Sequence, residues 1–427
     1  MSEATPEAAW IGAALAAARP KAVAALLRYF RDLDAAEEAF QDASLRALRA
    51  WPRNGPPRDP AAWLILVGRN SGLDRVRRAA REAPLPDEAA LSDLGDAEAD
   101  LAERLDGADY RDDILRLLFV CCHPDLPATQ QIALALRVVS GLPLPRIARA
   151  FLVSEAAMEQ RITRAKARIA RAQAEPGAVP FAAPGAAERA GRLFAVSAML
   201  YLLFNAGYSA GADPERAGLC GEAIRLGRLL LRLFPGEPEV MGLTALMLLQ
   251  HARAPARTDA AGEIVLLEDQ DRGLWDAGAI AEGLALIDKA TRHGQPGPYQ
   301  IQAGIAALHA RAAEPEDTDW AGIDRLYAAL ERMQPSPVVS LNRAVALAKL
   351  AGPAAGLARV EPLAERLDGY FHFHGLRGAF LMQLGRGAEA RAAMDRAIAL
   401  AGSPAEAIHI RRQLDRLARE AGAGPGG

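Results

Sequence analysis

The chain has 427 residues, 51% of them apolar and 24% charged, with a formal net charge of −3. That length suits about three domains of roughly 150 residues each, and that apolar content describes a soluble globular chain with a large core. Three cysteines in so long a chain cannot form a disulfide framework, which agrees with a reducing compartment. No stretch approaches the roughly 20 uninterrupted apolar residues of a membrane span. The acidic start MSEATPEAAW lacks the basic then apolar order of a secretory signal, so a cytoplasmic protein without membrane contact is expected.

Alanine, leucine and arginine dominate, helical periodicity recurs and alternating Val/Ile/Thr runs are nearly absent, so the predicted class is all-α. Residues 10–81 form the first helical block. Within it, Leu33 to Trp51 places Leu33, Ala36, Phe40, Ala43, Ala47 and Trp51 on one face, and Glu38, Gln41, Asp42, Leu45 and Arg49 on the other. A leucine exposed among acids is either an ordinary surface residue or part of a docking face. The loop WPRNGPPRD follows, and Asp59 and Pro60 then supply an N-cap and a first-turn proline for the next helix. Trp63, Val67, Asn70 and Asp74 share one side of that helix, so Asn70 and Asp74 are expected as internal hydrogen-bond supports. Arg69, Arg75, Arg77, Arg78 and Arg81 remain available to phosphates.

Residues 82–110 read as an extended acidic linker: Glu82 to Asp109 carries ten acids against the single Arg104, with prolines at 84 and 86. The next block is 111–172. Its Cys121, Cys122 and His123 invite a zinc reading, but Ile114, Leu117, Leu118 and Cys121 make an i, i+3, i+4, i+7 stripe that faces a core. No second Cys/His pair completes a tetrahedral site, so no metal or other cofactor is expected.

From Gly141 to Arg171 two short helices surround a tight turn in the manner of a DNA-reading helix-turn-helix. At about 100° per residue Met158, Ile162, Ala165 and Ile169 pack, while Gln160, Arg161, Arg164, Arg168 and Arg171 face outward. Between Arg137 and Arg171 stand eight Lys/Arg against two Glu, a clustering that the whole-chain charge hides. Clustered cations suit phosphate binding, although a solvated basic helix over an ordinary core reads the same way locally.

Residues 173–190 hold a Pro/Gly break, EPGAVPFAAPG, and 191–427 form a helical tail. Aligning LAGPAAG with LGRGAEA sets a 34-residue spacing, the tetratricopeptide period. Small residues follow it: Ala310, Ala344 and Gly378; Gly322, Gly356 and Ala390; Ala329, Leu363 and Ala397. Gly242, Gly283 and Ala290 extend the pattern upstream around an insertion from Arg253 to Asp276. A plain helical bundle is the alternative.

AEEAFQDASLRALRAWP, then PAAWLILVGRNSGLDRVRR, then the helix-turn-helix resemble the two domains of an extracytoplasmic-function sigma factor, a sigma-70-type subunit that gives bacterial RNA polymerase its promoter choice. In the tail, RLFAVSAMLYLLFNAGYSA, LLEDQDRGLWD, GPYQIQAGIAALHARA, EDTDWAGIDRLY and SPVVSLNRAVALAKLAGPAAGL resemble the long subgroup with a tetratricopeptide-like extension. The chain departs from that subgroup at FNAGY, Phe204 to Tyr208, where an acidic residue before the glycine is expected.

The resemblance implies core RNA polymerase and promoter DNA as partners, with contacts to the β′ clamp helices and the β flap. It implies that Glu38, Gln41, Asp42 and Leu45 face the clamp helices, and that the loop Pro52 to Asp59, through Arg53 and Asn54, holds a base flipped from the minus-10 element. Gln160, Arg161 and Arg164 would lie nearest the bases of the minus-35 element, Arg168 on its phosphates, and Lys166 on backbone or polymerase. The acidic linker would thread towards the RNA exit path, and the tail would take over regulation by binding the sigma domains, polymerase or another, regulatory protein. The competing readings are a repeat scaffold with accessory DNA binding, and an enzyme. Against the enzyme, the histidines are scattered and HExxH, P-loop and nucleophile-elbow motifs are missing.

Overall fold

The computed structural model describes residues 6–80, 108–174, 186–208 and 214–401, apart from Pro56, Pro124, Leu152 and residues 260–262, together with a few residues up to 414. The acidic linker and the Pro/Gly break therefore lie outside the described residues. The chain divides into two compact units, Met1–Leu203 and Phe204–Gly427. Among the described residues every long element is a helix, and Thr258 and Ile264 make an isolated β-bridge.

In the first unit, α1 (Pro6–Phe30), α2 (Leu33–Asn54) and α3 (Pro60–Ala80) form one three-helix group. Asp32 caps α2 by accepting from the Ala35 N–H at 2.8 Å, and Asp59 caps α3 by accepting from Ala61 and Ala62. Each of the six residues expected on the apolar face of α2 is buried. By length and composition alone Trp10–Phe30 could cross a membrane, with a mean hydropathy of 1.3, although Arg19 and Lys21 break its apolar run. In the fold, Ala22 to Leu27 instead pack inside this unit.

Two details correct the sequence reading. Helix α2 runs past Pro52 to Asn54, so the loop starts only at Gly55, whose positive φ of 78° lets its N–H close the helix on the Trp51 carbonyl at 3.0 Å. Asn70 is exposed rather than an internal support, because the buried side of α3 runs through Leu64, Val67 and Ser71, with Gly68 against the Ala39 carbonyl, and Asn70 falls beside it.

The same unit continues with α4 (Ala108–Cys121), α5 (Ala128–Val138), α6 (Leu144–Ala150) and α7 (Glu155–Ala174). The stripe Ile114, Leu117, Leu118 and Cys121 is buried as its spacing predicts, and burial pushes the Cys122 thiol up to about 12. Helix α4 packs on α1, and the half-exposed Arg28 pairs with the buried Asp113 at 3.3 Å. Between α5 and α6 the chain turns at Gly141, with φ of 70°; a Cβ there would lie 2.6 Å from Cδ of Arg19. Only glycine admits that arginine.

Helix α8 (Ala186–Tyr208) carries the unit boundary near its end. The second unit contains α9 (Pro214–Leu233), α10 (Pro238–His251), α11 (Ala277–Thr291) and α12 (Pro298–Arg311), then α13 (Trp320–Met333), α14 (Pro337–Ala351), α15 (Pro353–Val360), the short α16 (Ala364–Leu367), α17 (Phe371–Gln383) and α18 (Gly387–Leu400). Helices α14 and α17 begin 34 residues apart, as do α15 and α18, which is the tetratricopeptide-like frame. Ala344, Gly378, Gly322, Gly356, Ala390 and Ala397 are buried where successive helices meet. A Cβ on Gly356 would meet Phe380 at 2.8 Å, and one on Gly378 would meet Met394 at 2.8 Å, so these positions set the helix separation.

Upstream, Gly242 lies against the Gln300 backbone and Gly283 against Leu249, so the close packing extends to α10 and α11. Glu239 ties α10 to α12 by accepting from the N–H groups of Tyr299 and Gln300, both at 3.1 Å. The insertion from Arg253 to Asp276 is held by three arginines. Arg253 donates to the Tyr208 hydroxyl, Arg257 donates to the Tyr208 carbonyl and stacks 3.6 Å over its ring, and Arg272 donates to the carbonyls of His309 and Ala312.

Candidate nucleic-acid interface

Helix α7 is the second helix of the helix-turn-helix, and its start is set by Ser154, whose hydroxyl accepts from the Ala157 N–H at 3.2 Å. Met158, Ile162, Ala165 and Ile169 are buried, and the helix is held against α5 and α6. Gln160, Arg164, Arg168 and Arg171 are exposed, with Arg161 half-buried at the edge. Arg164 donates to the Gln160 side chain at 3.4 Å, so one turn presents a donor fork beside an amide, the groups that read base edges in a major groove. Arg168 donates to the Asp125 carbonyl at 2.9 Å, which fixes it beside the turn preceding α5.

Helix α2 is built on the same principle with opposite surface chemistry. Its exposed side carries Glu38, Gln41 and Leu45, with Asp42 half-buried, and Leu45 is 57% exposed. Leu48, one turn further, is 48% exposed. Two apolar side chains among acids suit a partner that supplies both apolar contact and positive charge. At the C-terminal end of α2, Trp51 stacks on Trp10 at 6.0 Å and meets Trp63 edge-on at 5.5 Å, an aromatic plug that fixes where the exposed Arg53 and Asn54 emerge.

Residues 15–82 match Sigma-70 region 2, residues 116–169 match Sigma-70, region 4, and residues 192–291 match a family of unknown function (DUF6596). An uncharacterized protein of Rhizobium meliloti (strain 1021) is 70% identical over 413 residues, 96% of this chain and 96% of its own. The chain belongs to the sigma-70 family. No solved structure matches it. Region 2 thus spans most of α1 with α2 and α3, region 4 contains the helix-turn-helix, and the family of unknown function covers α9, α10, α11 and most of α8.

Within region 2, the guanidinium of Arg69 lies 4.8 Å over the ring of Tyr29, both side chains remaining exposed. Arg75, Arg77 and Arg78 belong to the last turns of α3, and their side chains lie outside the described residues, as does all of Arg81. Arg53 and Asn54 end a helix instead of sitting in a loop. Leu48 is the exposed residue that the sequence reading missed, although its i+3 spacing from Leu45 signals it.

Lys166, expected on backbone or polymerase, has ionic partners within the chain that the sequence reading missed. Half-buried, it turns away from the outward face of α7: its Nζ lies 2.5 Å from Oδ1 of Asp34 and 2.7 Å from Oε2 of Glu37, both on the first turns of α2. Burial opposes its charge, but Glu37 and Asp34 outweigh that and raise its pKa. Glu37 also accepts from Arg19 at 3.0 Å, and Arg19 donates onward to the carbonyls of Val138 and Arg137 at the end of α5, at 2.9 and 3.1 Å. Burial lowers the pKa of Arg19, with Glu37 opposing.

Proposed function

We propose that this sigma-70 chain is of the extracytoplasmic-function type: it binds core RNA polymerase in the cytoplasm, where the DNA is, and directs promoter recognition and initiation. The observation that carries this reading is the pairing, in the order of the two sigma regions, of a leucine-bearing acidic face on α2 with a basic reading face on α7. Glu38, Gln41, Asp42, Leu45 and Leu48 dock on the β′ clamp helices. Arg53 and Asn54 hold the minus-10 element with Arg69, Arg75, Arg77 and Arg78 on its phosphates, while Gln160, Arg161 and Arg164 read the minus-35 element and Arg168 contacts its backbone.

The functional parts on this reading are region 2 at 10–81, the acidic linker at 82–110, region 4 at 111–172, a Pro/Gly linker at 173–190 and a regulatory repeat domain at 191–427. The tail acts through protein contact. Its support is a cavity of about 1140 Å³ in the second unit, lined by Trp320, Tyr327, Lys349, Tyr370 and His372 among others. The test is transcription by purified core polymerase, with and without the chain, on the promoter nearest its own gene. A promoter-dependent transcript appearing only with the chain supports the reading. Failure to form a complex or a transcript would leave a repeat adaptor as the better description.

A further inference from the structure

The cavity of the second unit, about 1140 Å³, is walled by α12, α13, α14 and α17 and edged by the insertion at Leu266 to Asp269 and Arg272. That volume exceeds the roughly 300–1,000 Å³ of a small-molecule pocket and suits a length of polypeptide. One side is aromatic, with Trp320 and Tyr327 of α13 and with Tyr370 and Phe371 at the start of α17. Asn342 of α14 and Gln383 of α17 also line it, and both are exposed. Each of these amides carries donors and an acceptor, which match the carbonyl and N–H of an extended backbone.

Charge decides which kind of segment fits. The cations of the cavity are already engaged: Arg272 donates through Nη1 to the carbonyls of His309 and Ala312, and Lys349 donates to Oε2 of Glu268 at 2.5 Å. His309 is uncharged near neutral pH, because burial, with Arg253 and Arg272 nearby, lowers its pKa to about 4. Among the described residues, an anionic segment therefore finds no uncommitted lysine or arginine on these walls. The acids are in the opposite condition. Asp269 and Glu316 stand exposed on the edge of the cavity and, among the described residues, make no ion pair.

Lys349 shows how this edge receives a cation. Its ammonium reaches the Glu268 carboxylate and lies 5.8 Å over the ring of Trp320, so a carboxylate and an aromatic face hold it together. Asp269 and Glu316 continue the acidic part of that arrangement along the same edge.

We propose that this cavity binds an extended segment of a partner protein in which arginine or lysine alternates with apolar or aromatic side chains. The basic side chains meet Asp269 and Glu316, the apolar ones lie on Tyr327, Tyr370 and Phe371, and the backbone pairs with Asn342 and Gln383. Alternation follows from the two-residue period of an extended chain. Nucleic acid does not suit the site, because its phosphates would meet the same acids. The inference names the partner chemistry of the tail and rests on the reading that the tail acts through protein contact.

Selection from a displayed library of random short peptides on the immobilised full chain reads this preference without presuming a sequence. The enriched peptides are expected to carry arginine or lysine among apolar and aromatic residues. A fluorescein-labelled copy of the most enriched peptide, followed by anisotropy, should bind the double variant Asp269→Asn, Glu316→Gln on the order of 5-fold more weakly than the unaltered chain. Asn342→Ala should weaken it by a smaller factor. All three side chains are exposed, so the fold is retained. Glu365→Gln, an exposed acid outside the cavity, should leave binding unchanged. Enrichment of acidic or uncharged peptides, no enrichment at all, or equal weakening by Glu365→Gln overturns the site. Adding the selected peptide to the transcription reaction separates this inference from the reading beneath it. If the peptide binds as expected but the transcript is unchanged at saturation, the site is upheld and regulation through the tail is what fails.

Discussion

The joint between the two sigma regions and the joints between the repeats of the tail are made of different chemistry. In the first unit Arg19, Glu37, Lys166 and Asp34 meet as charges across the contact. In the second, Gly242 lies against the Gln300 backbone, and Gly283, Gly356 and Gly378 lie against side chains of neighbouring helices, each so close that an added methyl group would meet a neighbour at 2.6–2.8 Å. A charged contact loses little when water replaces the partner, whereas a close-packed one loses every dispersion contact at once. The difference teaches that, beside the packing of α4 on α1, the sigma half is tied by long-range charges, whereas the tail is tied by close approach of its helices.

The sharpest break of that contrast should come from volume in the tail. Gly242→Ala places its Cβ 2.6 Å from the Gln300 nitrogen, and because backbone is in the way the expected cost is near the top of the range of about 1–3 kcal/mol for overpacking. Denaturant unfolding should show the loss. Acid should act next on the same unit. Burial, with Arg253 and Arg272 nearby, lowers the pKa of His309 to about 4 from its ordinary 6.5. The unfolded state therefore takes up the proton first, so this contribution is complete above pH 6.5 and is lost as pH falls towards 4, worth about 2 kcal/mol after allowance for partial exposure. Urea titrations at pH 7 and pH 4.5 should differ accordingly, and His309→Phe should flatten the difference.

A second acid step follows from Glu331. Burial would raise its pKa, but hydrogen bonds from Ser340, Arg343 and Arg359 bring it down to about 2, so its stabilising pairs fade only between about pH 4.5 and 2. On the sigma side, Arg164→Ala should cost about 1–2 kcal/mol of discrimination at the minus-35 element, while Arg168→Ala should weaken binding uniformly and lower its salt dependence. A promoter-mutant binding series in which both changes are equally non-specific would misplace the reading face. The smallest effect is expected at Gly387, where a Cβ meets nothing within 4 Å: Gly387→Ala should stabilise the tail by about 0.5 kcal/mol in the same urea titration.

What was legible in the sequence is what repeats locally. The buried stripe of α7 and the apolar face of α2 follow from helical period, and the 34-residue frame placed Gly356 and Gly378 at helix contacts. The helix continuing through Pro52 was not legible, since its end depends on Gly55 closing back on Trp51. Asn70 was misplaced because a one-residue drift of the buried side across α3 moves it to the surface. Lys166 was beyond reach of any periodicity: its partners stand 132 and 129 residues away. The arginines that tie the insertion to Tyr208 and His309 are long-range in the same sense.

The most direct test of the central claim is promoter opening. Permanganate reactivity of unpaired thymines should appear around the minus-10 element when core polymerase and the chain are both present, be absent with either alone, and be strongly reduced by Leu45→Glu, which puts charge on the exposed leucine of α2. A chain that binds the DNA but never produces reactive thymines with core polymerase would contradict the account.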